Sequence, residues 1–315
     1  MQSQEASSMA FGIVCALIGA SLWGFSGSCT QFQFMHYRID SLFITAVRMI
    51  GSGLVFMLLL LCIHRSELIA ILRDGKTLRR MIAFGVFGLF MSQITYIISI
   101  GFTNAGTATV LQMLNVVFVM AATCLMMRRA PRLLEVGGFA LAMLATVFIA
   151  TKGDLGTLAI PLPGLIWGLI NAASVAFYIT FPKDLYKRWP SLCVVGLGMF
   201  FGGIGSWLLW GASSLASIAS AGAIPPLATF PTLGFSGYVV MGLIIFVGTF
   251  AAFGLYLHGI SIVGGIRGSL LGAMEPVSAT VVSALWLGTV FTWADWLGMA
   301  LMIATVFVVT LQKGD

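Results

Sequence analysis

Ten stretches of roughly 20 apolar residues follow one another along this chain, at 9–33, 41–63, 81–102, 106–127, 133–151, 164–182, 191–213, 237–259, 266–288 and 294–311. A helix rises 1.5 Å per residue, so about 20 residues cross the ~30 Å hydrocarbon layer of a bilayer. Composition points the same way. The chain is 59% hydrophobic and only 8% charged, against about 25% charge in an average soluble domain. Its mean hydropathy is +1.05. A chain this apolar cannot cover its own surface in water. In lipid the backbone must satisfy its own hydrogen bonds, and each run forms a helix. The connection 214–236 is long and uncharged, but Pro225, Pro226 and Pro231 argue against a further span there. The first run starts near Met9, behind one charge, Glu5. A secretory leader usually carries basic residues ahead of its apolar core, so this run is expected to remain as a spanning helix.

The net charge of +6 is a statement about topology rather than about nucleic acid. With the N-terminus inside, the inside loops hold Arg65, Arg73, Lys76, Arg79, Arg80, Arg128, Arg129, Arg132, Lys183, Lys187, Arg188 and Lys313. The outside loops hold Arg38 and Lys152, and Arg48 and Arg267 fall within helices or at their ends. Lys and Arg favour cytoplasmic loops, so twelve against two predicts both termini in the cytoplasm. The five cysteines, Cys15, Cys29, Cys62, Cys124 and Cys193, all lie in apolar runs without metal-site spacing. They read as small core residues.

The chain also repeats itself. LATVFIAT (Leu144–Thr151) closes the fifth run and IATVFVVT (Ile303–Thr310) the tenth, identical at five of eight positions. SLFITAVRM (Ser41–Met49) opens the second run and SLCVVGLGM (Ser191–Met199) the seventh. GIVCALIGA (Gly12–Ala20) matches GLIWGLINA (Gly164–Ala172), and MLNVVF in the fourth run stands where MEPVSA stands in the ninth. The order is collinear. The chain therefore divides into two five-helix copies, 9–151 and 164–311. Five is odd, so the second copy enters the membrane from the opposite side. The expected fold is an all-α integral membrane protein of ten transmembrane helices, two inverted five-helix repeats around a central cavity. Such inverted repeats are common in secondary transporters.

The five-plus-five layout, WGFS (Trp23–Ser26), MEPVSA (Met274–Ala279) and LGMALMIATVFVV (Leu297–Val309) resemble the EamA-type members of the drug/metabolite transporter superfamily. Within it, the chain is most similar to bacterial aromatic amino-acid exporters. The resemblance covers about residues 10–311. It implies a ten-helix inner-membrane protein that exports small amphipathic metabolites through a central cavity. One departure stands out. Many relatives carry a Gly-Glu pair after the fourth and ninth helices, where this chain reads MMRRAP (Met126–Pro131) and LGTVFT (Leu287–Thr292). No role of that glutamate carries over.

Polar side chains are costly in lipid, so their helical faces are informative. Trp167, Asn171, Ser174 and Tyr178 are spaced four, three and four apart and share one face. That face would be an amphipathic wall of two rings, an amide and a hydroxyl. Gln112 and Asn115 share a face in the fourth run, Gln93 and Tyr96 in the third, and Trp23 and Ser26 in the first. Trp23, Gln93, Tyr96, Gln112, Asn115, Trp167, Asn171, Ser174 and Tyr178 are the candidate substrate-binding residues. Each has a structural alternative: interhelical hydrogen-bonding for the amides, an interfacial belt for the rings.

Glu275 and Pro276 stand side by side within the ninth run. Proline cannot donate a backbone hydrogen bond, so a kink is expected, freeing a carbonyl near residue 272. A carboxylate at that depth must face protein or a wet cavity, be protonated, or pair. Arg267, Leu271, Glu275 and Ser278 share a face, and a meeting of Arg267 with Glu275 would need water or a third group. Arg267, Glu275, Pro276 and His258 are the candidates for gating or coupling, with a structural carboxylate the alternative for Glu275. No ATP-binding loop, His-Glu-x-x-His or Gly-x-Ser-x-Gly pattern occurs, and the helices hold no facing aspartate pair. The expectation is a transporter, not an enzyme, without a cofactor or metal. Its partners would be a small-molecule substrate and membrane lipid, not nucleic acid. The oligomeric state is open, with a monomer compatible. A passive channel is the competing reading.

Overall fold

In the computed structural model, residues 2–37, 39–128, 130–219 and 231–311 are described. Arg38, Arg129, Lys313 and the Pro225-Pro226 pair lie outside them. Among the described residues ten long helices make up the bundle: α1 Gln2–His36, α2 Ser41–Ile63, α3 Gly75–Phe102, α4 Ala105–Met126, α5 Leu133–Thr151, α6 Leu162–Thr180, α7 Ser191–Ala219, α8 Phe235–Val263, α9 over 265–287 and α10 Trp293–Leu311. Nine of them are long and apolar enough to cross a bilayer among the described residues. The tenth, α10, has 19 residues, as many as α5 and α6. Short helices, Arg65–Arg73 and Lys183–Arg188, lie between α2 and α3 and between α6 and α7. The α7 helix runs on to Ala219, past the expected end of the seventh run.

Helix starts follow from local chemistry. The Asp40 carboxylate accepts from the Phe43 amide to open α2, Asp74 from Lys76 to open α3, and Asn104 from Thr107 to open α4. These side chains satisfy amides that a helix N-terminus otherwise leaves unpaired. Gly288, with φ 65°, ends α9 in the left-handed region that glycine adopts without strain.

The packing shows the two-fold relation of the repeats. α1 packs on α8 and α9, while its counterpart α6 packs on α3 and α4. α2 pairs with α7, and α5 with α10, each with its own counterpart. Close approach depends on small residues, as is usual for helices in lipid. At Gly53 an added Cβ would fall 2.7 Å from the Phe200 backbone, and at Gly203 it would fall 2.7 Å from the Ile50 amide. Leu58, Leu125, Leu133, Leu285, Phe235 and Val290 remain exposed on the outside of the bundle. An apolar surface of that extent is covered by lipid. Four of the cysteines are buried, but Cys62 is exposed, a correction to the expectation of five core cysteines.

Four of the helices are irregular, and the irregularities come in matched pairs. α3 carries a π turn at Phe84–Phe90, and its counterpart α8 one at Leu243–Ala251. α4 is broken between Ala105–Gln112 and Asn115–Met126, and α9 between Gly265–Gly272 and Met274–Leu287. The expected kink in α9 is present as a full break at Ala273, three residues before Pro276. In α4 no proline is involved. Met113 and Leu114 take tighter backbone bonds, and the Asn115 side chain donates to the Gln112 carbonyl at 2.8 Å. The amide thereby satisfies a carbonyl near the break.

Candidate functional site

The broken helices α4 and α9, with α3 and α8 beyond their π turns, line a cavity of about 990 Å³. Its walls come from α1 (Trp23), α2 (Arg48), α3 (Ser92, Gln93, Tyr96), α4 (Gln112 to Met127), α6 (Val175, Tyr178, Ile179), α8 (Phe253 to Ile260) and α9 (Gly272, Glu275, Pro276). At one end the lining reaches helix termini and loops, at Met127, Arg132, Tyr186 and Ser191. At the other end it stops inside the bundle, at Arg48, Tyr96 and Gln112. The cavity therefore opens toward one end only. That end carries Arg128, Arg132, Lys183, Lys187 and Arg188.

Beyond the blind end the helices are joined by a polar network. Gln31 of α1 donates to Thr289 Oγ1 at 2.8 Å and accepts from the Ala105 amide at 2.9 Å and from the Ser283 hydroxyl at 3.2 Å. Ser28 bonds Ser283 at 3.0 Å and the Ala279 carbonyl at 3.2 Å. One glutamine thus ties α1 to the start of α4 and to the end of α9. Thr289 follows Gly288, where the resemblance expects an acid. An ion pair between Lys152 and Asp295 joins α5 and α10 at the same end.

Six of the nine candidate substrate residues meet at the cavity: Trp23, Gln93, Tyr96, Gln112, Asn115 and Tyr178. Trp23 packs edge-on against Phe253, with ring centroids 4.8 Å apart, and against Tyr256 at 4.5 Å. Tyr178 stacks on Phe84 at 6.3 Å. The Tyr96 hydroxyl bonds Thr109 at 2.7 Å, and Gln112 Nε2 donates to Glu275 Oε1 at 3.1 Å. That last bond joins the two broken helices at their breaks. Trp23 Nε1 and Gln93 Oε1 are buried without a protein partner.

The expected wall on α6 is corrected by depth for Trp167 and Asn171 and by angle for Ser174, which is level with Val175 but turned away from the cavity. Val175, Tyr178 and Ile179, toward the open end, line the cavity, whereas Trp167, Asn171 and Ser174 do not. The earlier half of α6 packs against α3 and α4, where Gly164 meets Phe102 and Thr103 and Gly168 meets Leu111. Asn171 is fully buried there and donates to the Ser92 carbonyl at 2.7 Å and to Thr95 at 3.2 Å. Ser174 donates back to the Ile170 carbonyl of its own helix. Trp167 is half-buried away from the cavity.

Of the gating candidates, Glu275 and Pro276 line the cavity, and Arg267 and His258 do not. Arg267 is exposed near Met9. His258 is exposed and meets Phe11 edge-on. The break at Ala273 separates Arg267 from Glu275, so the face drawn through both is not a continuous helical face. The polar partner of Glu275 is Gln112.

Sequence reasoning missed Arg48, Phe253, Tyr256, Arg132 and Glu135 of α5, which all line the cavity. For Arg48 the signal was present: a cation within an apolar run calls for a partner or a polar cavity. Its Nε donates to Thr249 Oγ1 at 2.8 Å, and Thr249 donates to the Ile244 carbonyl, five residues earlier in the π turn. Tyr256 is held by a bond to the Gly268 carbonyl at 2.9 Å, and nothing in its sequence surroundings marked it.

Comparison with known proteins agrees with this architecture. The EamA-like transporter family matches residues 10–151 and again residues 162–311. An uncharacterized inner membrane transporter, YicL, of Salmonella typhimurium (strain LT2) is 33% identical over 302 residues, covering 96% of each chain. A solved crystal structure, described only as that of a protein, has a TM-score of 0.61 at 18% identity and covers 98% of this chain and 97% of its own; that likeness speaks for the fold alone. With two family matches spanning both five-helix halves, and a relative aligned along nearly its whole length, the chain belongs to the EamA-like transporter family.

Proposed function

We propose that this chain is a secondary transporter of the inner membrane that exports small amphipathic metabolites, among them amino acids and aromatic ones in particular, by alternating access. The observation that carries the reading is the one-ended cavity, walled by aromatic rings and by polar groups at two helix breaks. Its volume, about 990 Å³, lies at the upper end of the range for small-molecule sites, ~300–1,000 Å³. Trp23, Tyr178, Tyr256 and Phe253 offer ring faces to an apolar side chain. Gln93, Gln112, Asn115 and Glu275 offer hydrogen bonds to a polar head. Met113 and Met120 on the α4 wall and Met127 just past its end are adaptable surfaces that fit more than one ligand shape.

The units that move are the two repeats, 9–151 and 164–311, rocking about the site at their interface. The open end carries the basic loops, which the positive-inside bias assigns to the cytoplasm together with both termini. In that orientation the cavity loads from the cytoplasm, as an exporter must. The relative's description as an inner membrane transporter supports this location. Glu275, bonded to Gln112 across the two breaks, is placed to couple occupancy of the site to helix movement.

Transport in proteoliposomes tests the reading. Preloaded unlabelled L-phenylalanine should accelerate entry of labelled L-phenylalanine, because a carrier returns faster when loaded. Uptake of labelled solute without such acceleration would identify a channel instead. Acceleration by other metabolites and by no amino acid would keep the carrier and overturn the substrate class.

A further inference from the structure

Arg48 stands out against the repeat that surrounds it. In the match of Ser41–Met49 with Ser191–Met199, its counterpart is Gly198. Gly198 packs against Leu89 and Phe84, with no room for a side chain. The shared scaffold therefore does not require a cation at this position. The Arg48 side chain is nevertheless almost wholly buried, 3% exposed, and lies on the blind end of the cavity. Its Nε is spent on Thr249, while Nη1 is buried without a partner. A hydrogen-bond strut between α2 and the π turn of α8 needs only one donor, and a neutral side chain would supply it. Among the described residues no carboxylate hydrogen-bonds the guanidinium, since Glu275 is bonded to Gln112, and a buried cation without a bonded anion is costly. Its planar fork matches a carboxylate. The lining of the same cavity also holds the unpaired Trp23 Nε1, and Glu275 puts a carboxylate there as well.

We propose that Arg48 is the anion subsite of this cavity and binds the carboxylate of the transported molecule through its Nη groups, so that the substrates are carboxylate-bearing. This rests on the carrier reading above and narrows it. The aromatic lining takes the rest of the ligand, and Glu275 favours a ligand that also carries an ammonium group. The substrate class is then the zwitterionic amino acid rather than the amphipathic amine.

Binding to the purified protein in detergent tests the subsite without any transport step. The ligands are L-phenylalanine, L-phenylalaninamide and 3-phenylpropionate, read by quenching of tryptophan fluorescence. The wild-type protein should bind L-phenylalanine about a hundredfold more tightly than the amide, the scale expected when a buried charge pair loses one member. 3-Phenylpropionate should bind detectably. Arg48→Gln should lose the preference for the acid over the amide, whereas Thr249→Val, which removes the strut and keeps the guanidinium, should retain it. Equal binding of acid and amide by the wild type overturns the proposal, and so does an Arg48→Gln protein that keeps the preference. If Arg48→Gln does not fold, the acid-to-amide comparison in the wild type decides. Phosphatidylglycerol added to the detergent should not displace L-phenylalanine; displacement that Arg48→Gln abolishes would assign Arg48 to a lipid phosphate and overturn the proposal. Absence of trans-acceleration together with carboxylate-dependent binding would remove the carrier reading and leave the subsite. Trans-acceleration without carboxylate dependence would do the reverse.

Discussion

Asn171 and Gln112 are both amides in apolar helices, and depth along the bundle separates a strut from a wall. Asn171 lies where α6 presses on α3, and both its donor bonds go to that helix. Gln112 lies at the break of α4 and reaches across to Glu275. Periodicity gives the angle of a side chain around its helix and not how far the cavity extends along it. Trp23, Gln93, Tyr96, Gln112, Asn115, Tyr178 and Glu275 were therefore legible as polar or aromatic groups needing a cavity or partner, while Trp167 lies beyond the cavity's reach along the helix and Ser174, level with Val175, is turned away from it. Arg48 was legible as an intramembrane charge but not as a cavity residue, because only the fold brings α2 beside α8. Asn171→Ala should lower thermal stability by about 0.6 kcal/mol, the mean worth of an interhelical polar bond, while transport per folded molecule is unchanged. A transport rate reduced in proportion well beyond the folded yield would place Asn171 in the substrate path. Glu275→Gln keeps an acceptor for Gln112 and should fold to wild-type yield. Glu275→Leu strands the Gln112 amide at a cost of about 1–3 kcal/mol, read as a lower melting temperature. Equal stability of the Gln and Leu variants would contradict the bond across the breaks.

The matched irregularities of α3, α8, α4 and α9 show how much of the local structure a sequence announces. Pro276 signalled the break in α9. The break in α4 has no proline; there the Asn115 side chain bonds the Gln112 carbonyl. The π turns left no readable mark, because Phe84–Phe90 and Leu243–Ala251 keep the apolar character of their helices. At the blind end, the hold on α1, α4 and α9 is local and polar. Gln31→Leu removes its side-chain bonds to Thr289, Ala105 and Ser283 and should shift the protein toward opening at that end. A cysteine placed at Ser28, in a protein otherwise free of cysteine, should then react faster with a membrane-impermeant maleimide added from the Thr157 side. An unchanged rate would mean that apolar packing, not the Gln31 network, keeps that end shut.

The architecture of the whole molecule was legible because lipid leaves so few options: run length gave the helices, and collinear matches gave the repeat. The pairing of α2 with α7 and of α5 with α10 was not written in any one segment, since it follows from the two-fold relation between halves. The central claim is that one cavity serves both sides of the membrane in turn and is open, in the present conformation, to the basic-loop side. Reactivity of a cysteine at Met120, on the cavity wall, measures this directly. Cysteines at Ser66 and at Thr157 mark the two sides in separate proteins. In sealed vesicles of each orientation, Met120→Cys should react from the side on which Ser66→Cys reacts and stay protected from the side of Thr157→Cys. Reaction at equal rates from both sides would show a continuous pore, and reaction from the Thr157 side alone would reverse the access assigned here; either result would contradict the account.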